Sequence, residues 1–218
     1  MKANLGLEKF DAIIIASGND FADALAGSYL STVKNAPILL GWGKGEFDYD
    51  VTPTVFSSVE ALNDGFVWGD FCGANFAKYL VAKTRQTEGK LLVFLKPCDT
   101  YSFNQLLTEH RFDREKVYAV GIPCEGMADI NKVKALAGDG ITAITTEGEQ
   151  MMVTTLYEDA PKAIAREDVL LERCIHCKSK KHVAYDELMG EEGDLLDSHR
   201  FDEVARLEAM TPDERFAF

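Results

Sequence analysis

The chain has 218 residues, 23 of them basic and 36 acidic, which gives a formal net charge of −13 at pH 7. Hydrophobic residues make up 46% of the chain and charged residues 27%, a balance that excludes a disordered or low-complexity protein. The acidity argues against a nucleic-acid binder, because phosphate is repelled unless basic side chains gather in one patch. The basic cluster of Lys178, Lys180 and Lys181 is too small for that role.

The sequence also argues against a membrane protein or an exported one. No stretch approaches the roughly 20 apolar residues that a spanning helix needs. The N-terminus carries Lys2 but no apolar core, so it does not predict a signal peptide. We therefore expect a cytoplasmic protein without membrane insertion. In that compartment cysteines stay reduced and serve as metal ligands or redox groups rather than as disulfides.

Strand-like apolar runs alternate with helical patterns up to about residue 145, which predicts an α/β fold. The first elements are a β-α-β unit made of a strand, a helix and a strand at 11–16, 21–33 and 37–40. The next stretch, 41–56, is predicted as a loop that ends in a short strand at 54–56. Further helices are predicted at 73–83, 102–110 and 127–136, and further strands at 91–95, 117–120 and 141–144.

The pattern weakens after residue 145, where we predict a helix at 162–173, a Cys/Lys/His loop at 174–182 and an acidic amphipathic helix at 201–210. The whole predicts an open, mostly parallel sheet flanked by helices over residues 1–145. A less regular C-terminal extension follows at 146–218.

Two segments repeat one layout, an apolar strand followed by Pro-Cys and an acidic residue. Cys98 and Asp99 follow the strand at 91–95, and Cys124 and Glu125 follow the strand at 117–120. In a parallel sheet both turns lie at the carboxyl edge, where ligands bind. A turn that leads into a helix points N–H groups at this edge, so we expect a lowered cysteine pKa that favours the metal-binding thiolate. The alternative is that each cysteine is a small buried hydrophobe.

Cys174 and Cys177 form a CxxC pair, the smallest chelating loop. No strand precedes this pair, which weighs against a thioredoxin-type redox motif. Together with Cys98 and Cys124 it supplies four thiolates, enough for a 4Fe–4S cluster. Zinc would accept the same four ligands, but ligands spread over about 80 residues are untypical of a compact zinc ribbon. Cys72 is a fifth candidate ligand or a buried bystander.

The histidines and the common catalytic motifs give less evidence of function than the cysteines do. His176 and His182 lie in the predicted loop, where histidines are more often solvated than ligating. No P-loop, no G-x-G-x-x-G fingerprint and no Ser-His-Asp order is present.

Several motifs stand in one order along the chain, and they include Lys96-Pro97-Cys98-Asp99, Gly121-Ile122-Pro123-Cys124-x-Gly126, Arg173-Cys174-x-x-Cys177 and Tyr185-Asp186-x-Leu188-x-Gly190-Glu191. With these motifs, residues 41–218 resemble the β subunits of deazaflavin-coenzyme-reducing hydrogenases and formate dehydrogenases. The resemblance implies iron–sulfur electron transfer, often with FAD, inside a larger oxidoreductase complex or with ferredoxin-type carriers. It makes the residues beside the two Pro-Cys turns candidates for cofactor binding, namely Lys96, Asp99, Glu125 and Gly126.

Residues 1–40 resemble a different family. The segments 15–27 and 35–40 are similar to the cell wall-binding repeat type 2, although only one partial copy is present. Three hypotheses therefore stand: an iron–sulfur electron-transfer subunit, a wall-type binding module, and a mosaic or truncated α/β scaffold whose cysteines are unoccupied. The charge of −13 and the predicted lack of a signal peptide weigh against the wall-binding module.

Overall fold

A computed structural model describes residues 38–87, 89–178, 180–194 and 201–218. The predicted β-α-β unit and the resemblance to a wall-binding repeat therefore lie outside the described residues, apart from residues 38–40.

The larger sheet has five strands in the order β2-β1-β3-β4-β8. These strands are β1 (Ile38–Lys44), β2 (Val51–Phe56), β3 (Leu91–Leu95), β4 (Val117–Gly121) and β8 (Glu187–Leu188). β1 pairs antiparallel with β2, whereas the β1–β3, β3–β4 and β4–β8 pairs are parallel. The structure thus confirms the mostly parallel sheet flanked by helices.

The core of the molecule lies around β3, in which all five residues are fully buried. A strand that is apolar at every position is typical of a sheet covered on both faces. The helices of this part are α1 (Val59–Gly65), α2 (Ala77–Gln86) and α3 (Pro97–Thr108). Phe76, Phe94 and Phe103 belong to the hydrophobic core of this layered unit.

The β1–β2 hairpin corrects the predicted loop, because β1 continues to Lys44 and pairs with β2 along its length. Glycines inside the strand concealed it in the sequence. A Cβ at Gly41 would lie 2.6 Å from the ring of Phe66, so this position packs too closely for any larger residue.

A second, antiparallel sheet of three strands follows α4 (Ile130–Ala137). Its strands are β5 (Ile141–Glu147), β6 (Gln150–Thr155) and β7 (Lys162–Ala165). They share a separate hydrophobic cluster with α4, in which Val133, Met151 and Ile164 are buried. Residue 145, where we placed the domain boundary, lies within β5. The division at this residue stays a prediction.

The helix predicted at 162–173 is wrong for its first part. The chain forms β7, then a 3-10 turn (Arg166–Val169), and then the one-turn helix α5 (Glu172–Ile175). Ile164 is the one buried side chain of β7. A single buried residue shows no hydrophobic periodicity, so the sequence does not distinguish a strand from a helix here. The predicted acidic helix is present as α6 (Asp202–Ala209), followed by α7 (Pro212–Ala217). Among the described residues, no helix is both long and apolar enough to cross a membrane.

Candidate functional site

The two Pro-Cys turns lie side by side at the carboxyl edge of the larger sheet. β3 and β4 are parallel neighbours with Leu95 opposite Gly121, and the Ile122 N–H donates to the Leu95 carbonyl (2.9 Å). α3 begins at Pro97, which suits the first helical position because proline lacks the N–H that would be unpaired there. Cys98 therefore lies in the first turn of α3. Cys124 lies in the irregular segment after β4.

The CxxC pair reaches the same edge through backbone contacts with that irregular segment. The Leu171 N–H donates to the Met127 carbonyl (2.8 Å), and the Asp129 N–H donates to the Val169 carbonyl (2.7 Å). Gly126 has a φ of +120°, and a Cβ at this position would lie 3.5 Å from the Cβ of Cys174. Glycine at 126 therefore serves both the left-handed backbone and the close approach of α5.

These three segments bring four cysteines to one cavity, which we call the cysteine pocket. Its volume is about 30 Å³, room for roughly one water molecule. Besides the cysteines it is lined by three basic side chains and four other residues. The cysteines are Cys98, Cys124, Cys174 and Cys177, the basic residues are Lys96, Arg173 and Lys180, and the others are Gly73, Pro97, Gly126 and Met127.

Two thiols of the cysteine pocket, those of Cys98 and Cys124, have a raised pKa. Burial raises the pKa of the Cys98 thiol to about 12, and the negative charge of Asp99 adds to this effect even though Cys98 itself is partly exposed. Burial likewise raises the pKa of Cys124. This is the opposite of the lowered pKa that we expected, because desolvation outweighs the N–H groups of the turn.

Lys96 is a buried cation at one wall of the pocket. Its Nζ donates to the Ala74 carbonyl (2.7 Å), pairs with Asp99 Oδ2 (3.0 Å) and lies 4.5 Å from the centre of the Trp42 ring. Burial raises the pKa of Asp99, and the charge and hydrogen bonds of Lys96 offset part of that effect. Lys96 and Asp99 are 2% and 1% exposed, so this pair keeps one fixed geometry beside Cys98.

Two further cations cover the pocket on the side of the CxxC loop. Arg173 Nη2 donates to the Gly73 carbonyl (3.0 Å), and Lys180 Nζ donates to the Cys124 carbonyl (3.2 Å). With Lys96, whose charge is balanced by Asp99, three basic side chains surround the four thiols. The charges of Arg173 and Lys180 favour an anionic group in the pocket.

The other predicted site residues lie around the pocket or outside it. The Cys98 thiol donates to Asp99 Oδ1 (3.8 Å). Glu125 is exposed and faces the neighbouring cleft. Cys72 does not line the cysteine pocket: it is fully buried, its Sγ accepts from the Gly69 N–H (3.3 Å), and burial raises its pKa to about 12.

A wider cleft lies between the two sheets, with one part of about 280 Å³ that includes Cys124 and Trp68 and another of about 460 Å³ along β6 and β7. We call it the inter-sheet cleft. Arg166 crosses it, with Nε donating to Asp70 Oδ1 and Nη2 to the Gly126 carbonyl (2.7 and 2.8 Å). The remaining charged residues of its lining are acidic, namely Asp70, Glu125, Glu149 and Glu167.

The inter-sheet cleft does not match the diphosphate of FAD as far as the described residues go. A diphosphate is held by basic side chains or by N–H groups at a helix start. Here Arg166 already pairs with Asp70, and three glutamates would repel phosphate. The described residues of this cleft therefore do not fit a bound flavin.

His182 is the residue that the sequence missed. We expected a solvated loop histidine, but its side chain is fully buried and both ring nitrogens lie close to oxygen atoms. Neighbours that are distant in sequence create this environment, so no local pattern indicates it. His176 is exposed, as expected.

Within the parts of the chain that the structure describes, no group of three or more His, Cys, Asp or Glu side chains is arranged to hold a single metal ion. The four cysteines line one cavity.

The chain matches no family model and no curated protein. Among solved structures it is similar to a chain of the F420-reducing NiFe hydrogenase complex from Methanosarcina barkeri. The TM-score is 0.54 and the sequence identity is 13%, over 80% of this chain and 68% of that chain. At this identity the likeness shows a common fold.

Proposed function

We propose that the protein is an electron-transfer subunit that binds one 4Fe–4S cluster through Cys98, Cys124, Cys174 and Cys177. The observation that carries the proposal is the meeting of these four cysteines, from three distant segments, at one cavity. Four cysteine thiolates are the ligand set that such a cluster uses.

The arrangement favours a cluster over a zinc ion. A single ion needs its ligands at about 2.3 Å from one point. A cubane cluster presents one iron to each cysteine, so its four ligands stand further apart. The four cysteines that line the pocket come from three segments that are distant along the chain, which is untypical of a compact zinc ribbon.

When bound, the cluster would accept and release one electron at a time, at a potential set by burial, charge and hydrogen bonds to the sulfur atoms. The chain's own residues supply the charge and the burial that would set this potential. Lys96, Arg173 and Lys180 place positive charge beside the thiolates and lower the cost of holding the anionic group away from water. The core behind β3 excludes water from the opposite side.

The protein would act within a larger oxidoreductase assembly or with a small ferredoxin-type carrier. The similar solved structure is a chain of a hydrogenase complex, and its fold spans most of this chain. An electron-transfer subunit also needs a donor and an acceptor of its own. Part of the cysteine pocket reaches the surface at Cys98, which gives electrons a short route to a partner.

A second candidate is a folded α/β scaffold whose cysteines hold no metal. The small volume of the cysteine pocket favours it, because about 30 Å³ does not admit a cluster until Arg173, Lys180 and the CxxC loop move outward. Both basic side chains belong to the segment around the one-turn helix α5, which has little regular structure to resist that movement.

Anaerobic purification followed by iron, sulfide and flavin analysis tests the proposal. We expect a brown protein with broad absorption in the visible range and equal amounts of iron and sulfide, and the loss of both after Cys174→Ser. A colourless protein that takes up neither iron nor sulfide during anaerobic reconstitution would leave only the scaffold. Flavin analysis of the same sample decides whether FAD binds.

A further inference from the structure

A buried histidine joins the two strand ends from which the Pro-Cys turns emerge. His182 Nε2 lies 3.0 Å from the Leu95 carbonyl and 3.1 Å from the Ile122 carbonyl. Leu95 precedes Lys96 and the Cys98 turn, and Ile122 lies two residues before Cys124. The ring therefore bridges β3 and β4 at the level where the chain leaves the sheet.

The second ring nitrogen is held from the other side by Glu192. His182 Nδ1 lies 2.8 Å from Glu192 Oε1, and the same oxygen accepts the His182 backbone N–H (2.5 Å). These hydrogen bonds, the backbone one first, lower the pKa of Glu192, so the group is a carboxylate at neutral pH. A carboxylate and two carbonyls only accept hydrogen bonds, so both ring nitrogens face acceptors alone.

The surrounding residues are shaped to admit this ring. A Cβ at Gly121 would lie 3.0 Å from His182 Cδ2, so a larger residue at the end of β4 would displace the imidazole. The Val183 N–H donates to Thr100 Oγ1 (3.1 Å), which attaches the same segment to the first turn of α3. The segment 182–192 is thus fixed to both cysteine-bearing turns at once.

We propose that His182, held by Glu192, is a positioning residue for the cysteine pocket. By bridging the Leu95 and Ile122 carbonyls it sets the separation of Cys98 and Cys124 and therefore the geometry in which they meet a metal cluster. The cluster in this statement rests on the proposed function, whereas the contact itself is a property of the metal-free chain.

The first test uses the metal-free full chain and needs no cluster. Alkylation of Cys98 and Cys124, followed by peptide mass spectrometry, should be severalfold faster in Glu192→Gln than in the wild type. Glu191→Gln is the matched control, because the same change falls on the exposed neighbouring residue. Equal alkylation in the two variants would overturn the inference.

The second test separates positioning from simple stabilisation. His182→Gln keeps an amide that can donate to both carbonyls, so it should alkylate almost like the wild type, whereas His182→Ala should not. A fall in melting temperature without any change in alkylation in either variant would mean that His182 only stabilises the fold.

In the reconstituted protein, loss of iron to a chelator should be about tenfold faster in His182→Ala than in the wild type, as for other supporting residues around metal ligands. Iron loss at the wild-type rate would contradict positioning. If the wild type takes up no iron at all, the proposed function fails, and the alkylation results still decide the inference about His182.

Discussion

The cysteine pocket and the inter-sheet cleft share Cys124, Gly126 and Met127 in their walls, yet they differ in every property that matters for a ligand. The pocket is small and combines four thiols with three cations. The cleft is many times larger and is lined mainly by carboxylates around one arginine that is already paired. Size alone would select the cleft as the functional site, whereas the chemistry of the donor atoms selects the pocket.

The largest expected effect distinguishes a cysteine that lines the pocket from Cys72, the buried cysteine outside it. Cys124→Ser should abolish uptake of iron and sulfide, because one of the four ligands is lost. Cys72→Ala should leave the uptake unchanged, since Cys72 contacts Gly69 and Val67 rather than the pocket. Iron and sulfide analysis after reconstitution measures both. Loss of iron in Cys72→Ala would mean that the four proposed ligands are not the correct set.

The buried cation of the pocket should matter next. Lys96→Met leaves the Asp99 carboxylate without its partner and should lower the free energy of unfolding by about 3 kcal/mol in denaturant titrations. The loss should be smaller at pH 5 than at pH 7, because the raised pKa of Asp99 favours its neutral form as the pH falls. The double variant Lys96→Met with Asp99→Asn should recover part of the loss. No recovery would show that Lys96 acts through packing alone.

The raised pKa values of two pocket thiols predict how cluster uptake depends on pH. Cys98 and Cys124 have raised pKa values, so at neutral pH each must lose a proton before it can bind iron. If deprotonation of one such thiol limits the rate, uptake at fixed iron and sulfide should be about a hundredfold faster at pH 8 than at pH 6, because the thiolate fraction rises about tenfold per pH unit. Stopped-flow absorption in the visible range measures the rate. A rate that does not change between these pH values would contradict protonated thiols in the metal-free pocket.

The smallest effect is expected on the side of the cleft. Arg166→Met removes the contacts with Asp70 and with the Gly126 carbonyl and should cost about 1 kcal/mol of stability, because this pair is partly exposed. Its iron content should stay at the wild-type level. A loss of iron in this variant would show that the cleft and the pocket act as one site.

The sequence predicts the parts of the site that depend on local order. β3, β4 and the two Pro-Cys turns follow from short apolar runs that end in proline, and parallel pairing places both turns at one edge. The predicted strands at 37–40 and 54–56 are parts of β1 and β2, but the sequence does not predict their extension to Lys44 and back to Val51, because Gly41 and Gly43 interrupt the apolar pattern. It does not predict β7 either, since Ile164 is the one buried residue of that strand.

The remaining features of the site depend on contacts across long stretches of chain. Leu171 pairs with Met127 and brings the CxxC loop to the pocket, and Glu192 and two strand ends bury His182. The raised thiol pKa values have the same origin, since the surrounding core decides how much water each sulfur keeps. No spacing rule in the sequence contains this information.

Native mass spectrometry of the anaerobically reconstituted chain tests the central claim most directly, because it counts metal and sulfide atoms per molecule. The account predicts a mass increase for four irons and four sulfides, which disappears in Cys124→Ser and persists in Cys72→Ala. A wild-type protein that carries a single zinc ion, or no added mass, would contradict it.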